Sequence, residues 1–125
     1  MRWRGNIFLE HGWLLYEGPI AATSAHAHHA FQIILESQPA VQLVAGSERV
    51  VVDVAAIPAD APHAFASPAS RAVILYVAPE SRAGRHLAAH VGGDTPIASW
   101  IDVAVSLRGI VGDPIDRWEE ARRVY

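Results

Sequence analysis

The sequence predicts a mainly all-β domain with a short helical appendage at its C-terminal end. Three observations predict it. Short runs rich in Val, Ile, Leu and aromatic residues follow one another from residue 2 to about 78, each closed by Gly, Pro or polar turn residues. Eight Pro and nine Gly suit many short elements better than a helical bundle. After Pro79 the apolar period lengthens to that of a helix. A length of 125 residues is that of one domain. Residues 1–79 therefore form the β unit, and residues 80–125 form helices that pack on it or make a dimer contact.

The elements are expected in this order. Ile7-Phe8-Leu9 and Trp13-Leu14-Leu15-Tyr16 flank His11-Gly12, a tight hairpin turn. Gly18-Pro19 should break the second strand. Phe31 to Leu35 reads as a strand ended by Ser37-Gln38-Pro39, and Val41 to Val44 as another before a turn at Ala45-Gly46-Ser47-Glu48. The β-branched run Val50 to Val54 is a strand on propensity. Pro58 to Pro62 makes a rigid loop, Phe65 follows it, and Ala72 to Val77 is the last strand. Ser81 should cap a helix reaching Val91, stopped by Gly92-Gly93-Asp94. Thr95 should cap a second helix with Pro96 at its first position and Ile97, Trp100, Ile101, Ala104 and Leu107 at helical spacing. A third helix is expected over Ile115 to Val124.

Composition excludes several classes. Hydrophobic residues make up 51% and charged residues 18%, which is a folded rather than a disordered chain. The absence of Cys removes disulfides, thiolate zinc sites and a cysteine nucleophile. The net charge is −3, all ten cationic residues are Arg, and none are densely clustered, so direct nucleic-acid binding by this segment is not expected. No apolar run approaches the ~18 residues of a membrane span, and residues 1–6 contain no signal-like hydrophobic region. Cytoplasm is the expected compartment. Phosphate-loop, nucleophile-elbow and dinucleotide-binding motifs are all missing.

The chemistry concentrates in histidine. Four of the seven lie in His26-Ala27-His28-His29 and at His63. On a regular strand His26, His28, Ala30 and Gln32 share one face, with Phe31, Ile33 and Leu35 on the other. Two imidazoles two residues apart can hold one cation jointly, Gln32 can add an oxygen, and His63 is the ligand from a separate stretch. Three neutral imidazoles and an amide suit Zn²⁺ or Ni²⁺ in preference to Fe²⁺ or Mn²⁺. Without a metal the same side chains would line the fold as polar groups. His29 should point away to the surface unless a bulge exchanges it with His28. Asp60 is read as closing its loop through an Asx-type bond. Trp3, Trp13 and Tyr16 are placed to line the ligand site beside the histidines, with aromatic core packing as the alternative. Trp100 and Trp118 are read as packing residues. His86 and His90 should lie on an exposed helix face. The apolar strip Phe31, Ile33 and Leu35 needs a cover, from the second sheet, the tail helices or a twin subunit; a homodimer is preferred.

Here the chain resembles the cupin superfamily. Gly18, His26-Ala27-His28 and Gln32 follow the order of the first cupin motif, with Gln32 in the Glu position. Pro58-Ala59-Asp60-Ala61-Pro62-His63 resembles the second, with Asp60 where Gly is usual. The resemblance implies a jelly-roll barrel, or double-stranded β-helix, with the site in its mouth. The run from His26 to Gln32, followed by Ile57 to Ala64, also resembles the N-terminal ligand-sensing domain of AraC-type transcription regulators. That implies a small-molecule effector held by His26, His28, Gln32 and His63, directly or through a divalent metal, and regulation through the helices. The alternative is a stand-alone metal-dependent cupin enzyme of oxygenase or isomerase type.

Overall fold

A computed structural model describes residues 6–10 and 12–111, and side chains over 12–107. Trp3, His11, Trp118 and the helix expected over 115–124 lie outside the described residues.

Eight strands form two antiparallel sheets. They are β1 (Asn6–Glu10), β2 (Trp13–Ile20), β3 (Phe31–Gln38), β4 (Val41–Ala45), β5 (Glu48–Val52), β6 (Ala55–Ile57), β7 (Ala64–Phe65) and β8 (Ala69–Val77). Five of them pair in the order β1-β2-β8-β3-β6, and three in the order β5-β4-β7. Two helices follow, α1 (Arg82–Ala88) and α2 (Ile97–Val111). Mainly β structure with helices after it is therefore observed, as two sheets rather than as a closed barrel.

Local chemistry explains most boundaries. Glu10 pairs with Trp13 across the β1–β2 turn, where Gly12 has φ +87°, a value that favours glycine. Gly18-Pro19 does not end β2 as expected. The strand continues to Ile20 through a register shift, because a bulge tolerates the missing N–H of Pro19. β3 likewise runs past the expected stop to Gln38, with a second shift between Ile34 and Glu36. Gly46, at φ +58°, turns β4 into β5.

The five-stranded sheet is apolar on both faces. Register aligns Leu14, Tyr76, Gln32 and Ile57 across β2, β8, β3 and β6, and Tyr16, Ile74, Ile34 and Ala55 two residues along, so these share one face. The opposite face carries Trp13, Val77, Phe31, Leu75 and Ile33. The helices cover it: Ile33, Leu35, Leu75 and Val77 line one cavity of about 190 Å³ with Leu87 of α1 and Leu107 of α2. Phe31, Ile33 and Leu35 are thereby buried within the single chain. The strip that suggested a homodimer needs no second copy to cover it.

Both helices are tied to the sheets. The Ser81 hydroxyl donates to the Ala78 carbonyl and accepts from the Gly84 N–H at 3.0 Å, the expected N-cap. Thr95 does not cap α2. Its hydroxyl donates to the Gly92 carbonyl and accepts the Trp100 indole N–H at 2.9 Å. The cap comes from the sheet instead, with the Ile97 N–H donating to the Glu48 carboxylate of β5 at 3.1 Å. A carboxylate there also complements the positive end of the helix dipole. Ile97, Trp100 and Ala104 are buried at helical spacing beneath it. No helix among the described residues is long and apolar enough to cross a membrane.

Candidate metal and ligand site

Two separated stretches meet through the backbone. His26 and His63 form an isolated antiparallel bridge, each N–H donating to the other's carbonyl at 2.9 Å. Just before it, the Thr23 N–H donates to the Phe65 carbonyl, and the Thr23 hydroxyl accepts from the Phe65 N–H. The chain after β2 thus runs along β7 as an irregular extra strand on the smaller sheet. Directly opposed residues of an antiparallel pair project to the same side, which sets the two imidazoles together.

The expected histidine cluster forms. Ring centroids lie 4.6 Å apart for His26 and His63, 4.7 Å for His26 and His28, and 5.8 Å for His28 and His63. One nitrogen from each lies within 4.8 Å of the others. Four-coordinate zinc with N at ~2.1 Å needs nitrogens about 3.4 Å apart, closer than that upper bound. His28, not His29, joins the group.

Hydrogen bonds to backbone carbonyls orient two of the rings. The His26 Nδ1 meets the Ser24 carbonyl at 2.9 Å, and the His63 Nδ1 meets the Ala61 carbonyl at 2.9 Å. A carbonyl only accepts, so each Nδ1 carries a proton, and the neutral form of either ring has its lone pair on Nε2. The His63 Nε2 is buried with no hydrogen-bond partner. Burial is graded: His63 is 2% exposed, His26 half-buried and His28 exposed at the rim.

Gln32 arrives by a route the sequence reading did not describe. Residues 27–30 are not a strand, so no continuous face runs from His28 to Gln32. Gln32 is instead positioned by β3, opposite Tyr76 of β8. Tyr76 stands edge-on to His28, with ring centroids 6.4 Å apart. The Gln32 Oε1 is the second buried side-chain atom without a partner among the described residues. Unpaired buried polar atoms are rare in folded proteins and call for an explanation. Two of them, a lone-pair nitrogen and an amide oxygen, fit a divalent transition metal in donor type.

Of the aromatic residues expected here, Tyr16 lies on this face and Trp13 does not. Three residues apart on one strand they must face opposite sides, and Trp13 lines a surface cleft with Ser81, Arg82 and Arg85 of the α1 side. Tyr16 is buried, and its hydroxyl donates to the Pro19 carbonyl at 2.6 Å. Tyr76 is the site residue that sequence reading missed. Within an unbroken apolar run its parity became readable only once β8 was paired. Burial, with Tyr16 adding to it, pushes the Tyr76 hydroxyl up to about 12, so it stays a neutral donor.

Outside the cluster, the His29 ring spans two acids. Its Nδ1 bonds the Asp60 carboxylate at 3.0 Å, and its Nε2 bonds Glu80. Asp60 has φ +62°, the left-handed conformation that explains why glycine would suit this place, and its N–H donates to the His28 carbonyl at 2.7 Å. Its carboxylate holds His29 rather than closing an Asx turn. His86 and His90 pack with ring centroids 5.2 Å apart, away from the cluster on the α1 side.

Burial holds the His63 pKa below its ordinary 6.5, with His26 and His28 adding to the effect against the Ala61 hydrogen bond. Burial and His26 also lower His28. The unfolded chain then binds protons that the folded chain refuses, so this stability is complete above pH 6.5 and is lost as pH falls through the folded value. The thermal midpoint of the metal-free protein is expected to drop on acidification in that window, with a shallower drop in His63→Asn. An identical slope in the variant would count against the assignment. His29 works the other way, raised first by Glu80 and then Asp60, but it is exposed and solvent screens its contribution.

No protein-family model matches the sequence, and no curated protein matches it. Among solved structures, the chain is similar to the crystal structure of protein NMB1881 from Neisseria meningitidis, with a TM-score of 0.48 and 17% identity over 62% of this chain and 86% of that one.

Proposed function

We propose that this chain is a small-molecule-sensing domain of cupin type, comparable to the ligand-binding part of an AraC-type regulator. Its ligand is captured at a divalent metal held by His26, His28, His63 and Gln32, with Zn²⁺ or Ni²⁺ preferred. The observation that carries this reading is the two-sided use of β3 and β8. On one face they carry Gln32 opposite Tyr76, whose ring stands 6.4 Å from that of His28, and on the other Ile33 and Leu75 line a cavity with Leu87 of α1 and Leu107 of α2. A ligand that draws the cluster together shifts strands on which the helices rest, and so biases the helices' arrangement.

A metal-dependent enzyme is the second reading. It is favoured by three imidazoles around a point that opens to solvent past exposed His28, the pattern of catalytic zinc with an open position. Among the described residues the cluster contains no carboxylate to serve as general base, which favours binding over turnover.

Equilibrium dialysis against micromolar Zn²⁺ should give one ion per chain, and loading should slow amide hydrogen exchange in α1 and α2. No bound ion would reject the metal site. Binding without any change in the helices would reject the sensor reading and advance the enzyme.

A further inference from the structure

A second set of imidazoles stands apart from the cluster, on the helices. His86 lies in α1, and the helical turning carries on past Ala88: the His90 N–H donates to the Leu87 carbonyl at 2.9 Å, and the Val91 N–H to the same carbonyl at 3.1 Å. Residues four apart on such a turn share one side. The two rings accordingly stand with centroids 5.2 Å apart, both exposed. This is the spacing by which two histidines of one helix hold a single zinc ion. By itself an exposed pair is only a solvated face, and what sets this one apart is the wall opposite. His86 and His90 line a cleft of about 240 Å³ whose other side is α2, and α2 brings to it Asp102 and Ser106, likewise four apart. Arg82 and Arg85 line instead the cleft beside Trp13. Among the described residues no side-chain hydrogen bond or ion pair engages His86, His90 or Asp102.

We propose that this cleft is a second divalent-metal site, anchored by His86 and His90 and closed from α2 by the Asp102 carboxylate, for an ion that favours imidazole, such as Zn²⁺ or Cu²⁺. It is no preassembled triad, since His26, His28 and His63 are the group of three closely set donors among the described residues. The imidazoles hold the ion, and its charge draws the carboxylate across the cleft. The bound ion thereby ties the end of α1 to α2. In His86-Leu87-Ala88-Ala89-His90 a leucine stands where the helical zinc proteases carry their glutamate base, so the ion is a clip and not a hydrolytic centre. None of this depends on the cluster's holding a metal.

The test titrates Zn²⁺ alone into the full chain. Two imidazoles hold an ion less firmly than three, so a second ion should enter at least about tenfold above the concentration that fills the cluster. His90→Ala, an exposed position whose loss leaves the fold intact, should abolish the second ion and keep the first. Asp102→Asn should weaken the second ion at least about tenfold. That ion should also slow amide exchange over residues 86–91 and 102–106 in the parent and in His63→Ala but not in His90→Ala, which separates its effect from any slowing that starts at the cluster. A single ion, lost in His90→Ala and kept in His63→Ala, would reject the cluster and uphold this site. Uptake by His90→Ala that matches the parent throughout would overturn the inference, whatever the cluster binds. Asp102→Asn that matches the parent would leave the ion on the imidazoles alone and overturn the tie between the helices.

Discussion

Replacing His63 by alanine should weaken Zn²⁺ binding by more than about a hundredfold, because losing a mere hydrogen-bonding partner of a metal ligand already costs roughly 10–100-fold. His63 is the buried member of the cluster, and its Nε2 has no other partner. The same fact keeps the experiment clean. A buried orphan nitrogen costs about 1–3 kcal/mol in the metal-free protein, so removing it offsets much of the packing lost beside Phe65. The backbone bridge to His26 needs no side chain. The metal-free variant should therefore stay within about 1–2 kcal/mol of the parent by urea titration. His29→Ala, whose ring bonds only Asp60 and Glu80 among the described residues, should bind Zn²⁺ as the parent does. Retention of metal by His63→Ala, or its loss by His29→Ala, would refute the ligand set.

Gly84→Ala should be the most damaging single methyl addition in the α1 region. A Cβ at Gly84 would lie 2.0 Å from the Ala78 carbonyl oxygen, 2.7 Å from the Pro79 Cα and 2.9 Å from the Ala78 carbonyl carbon. All three are backbone atoms that cannot rotate away, so the first turn of α1 must lift from the end of β8. Overpacking of this kind costs about 1–3 kcal/mol or more. Alanine's better helix propensity returns only about 1 kcal/mol. We expect a net loss of about 2 kcal/mol, read as a lower urea midpoint with faster amide exchange in α1. Gly93→Ala is the control: its Cβ would meet Ala61 at an ordinary 3.9 Å, and it should change stability by less than about 0.5 kcal/mol. A Gly84→Ala variant as stable as the parent would mean that α1 does not dock as described. In the sensing mechanism, the same variant should bind Zn²⁺ normally yet lose the slowing of exchange in the helices.

Much of this was legible in residue order. Alternation and turn chemistry located β2, β3, β4, β5 and β8, and the Ser81 cap located α1, because those signals act over a few residues. The histidine cluster was also readable, as two short motifs in order. The three-residue β6 and two-residue β7 were not, since strands so short carry no period. Trp13 and Tyr16 lie three apart on one strand and face opposite sides, so only Tyr16 shares the face of Gln32 and Tyr76. No strand runs over 27–30, so the place of Gln32 depends on the pairing of β3 with β8, and Tyr76 sits in an apolar run whose parity only that pairing reveals.

What the residues determined on their own is the donor inventory: imidazoles without thiolates, an amide at Gln32, and an abundance of short strands. Those are properties of composition and local spacing. Only the folded chain decided which donors face one another, which face of the large sheet the helices cover, and that α2 is capped from β5. Such outcomes depend on pairing between strands tens of residues apart, whose register is settled by the burial of whole faces rather than by any local signal.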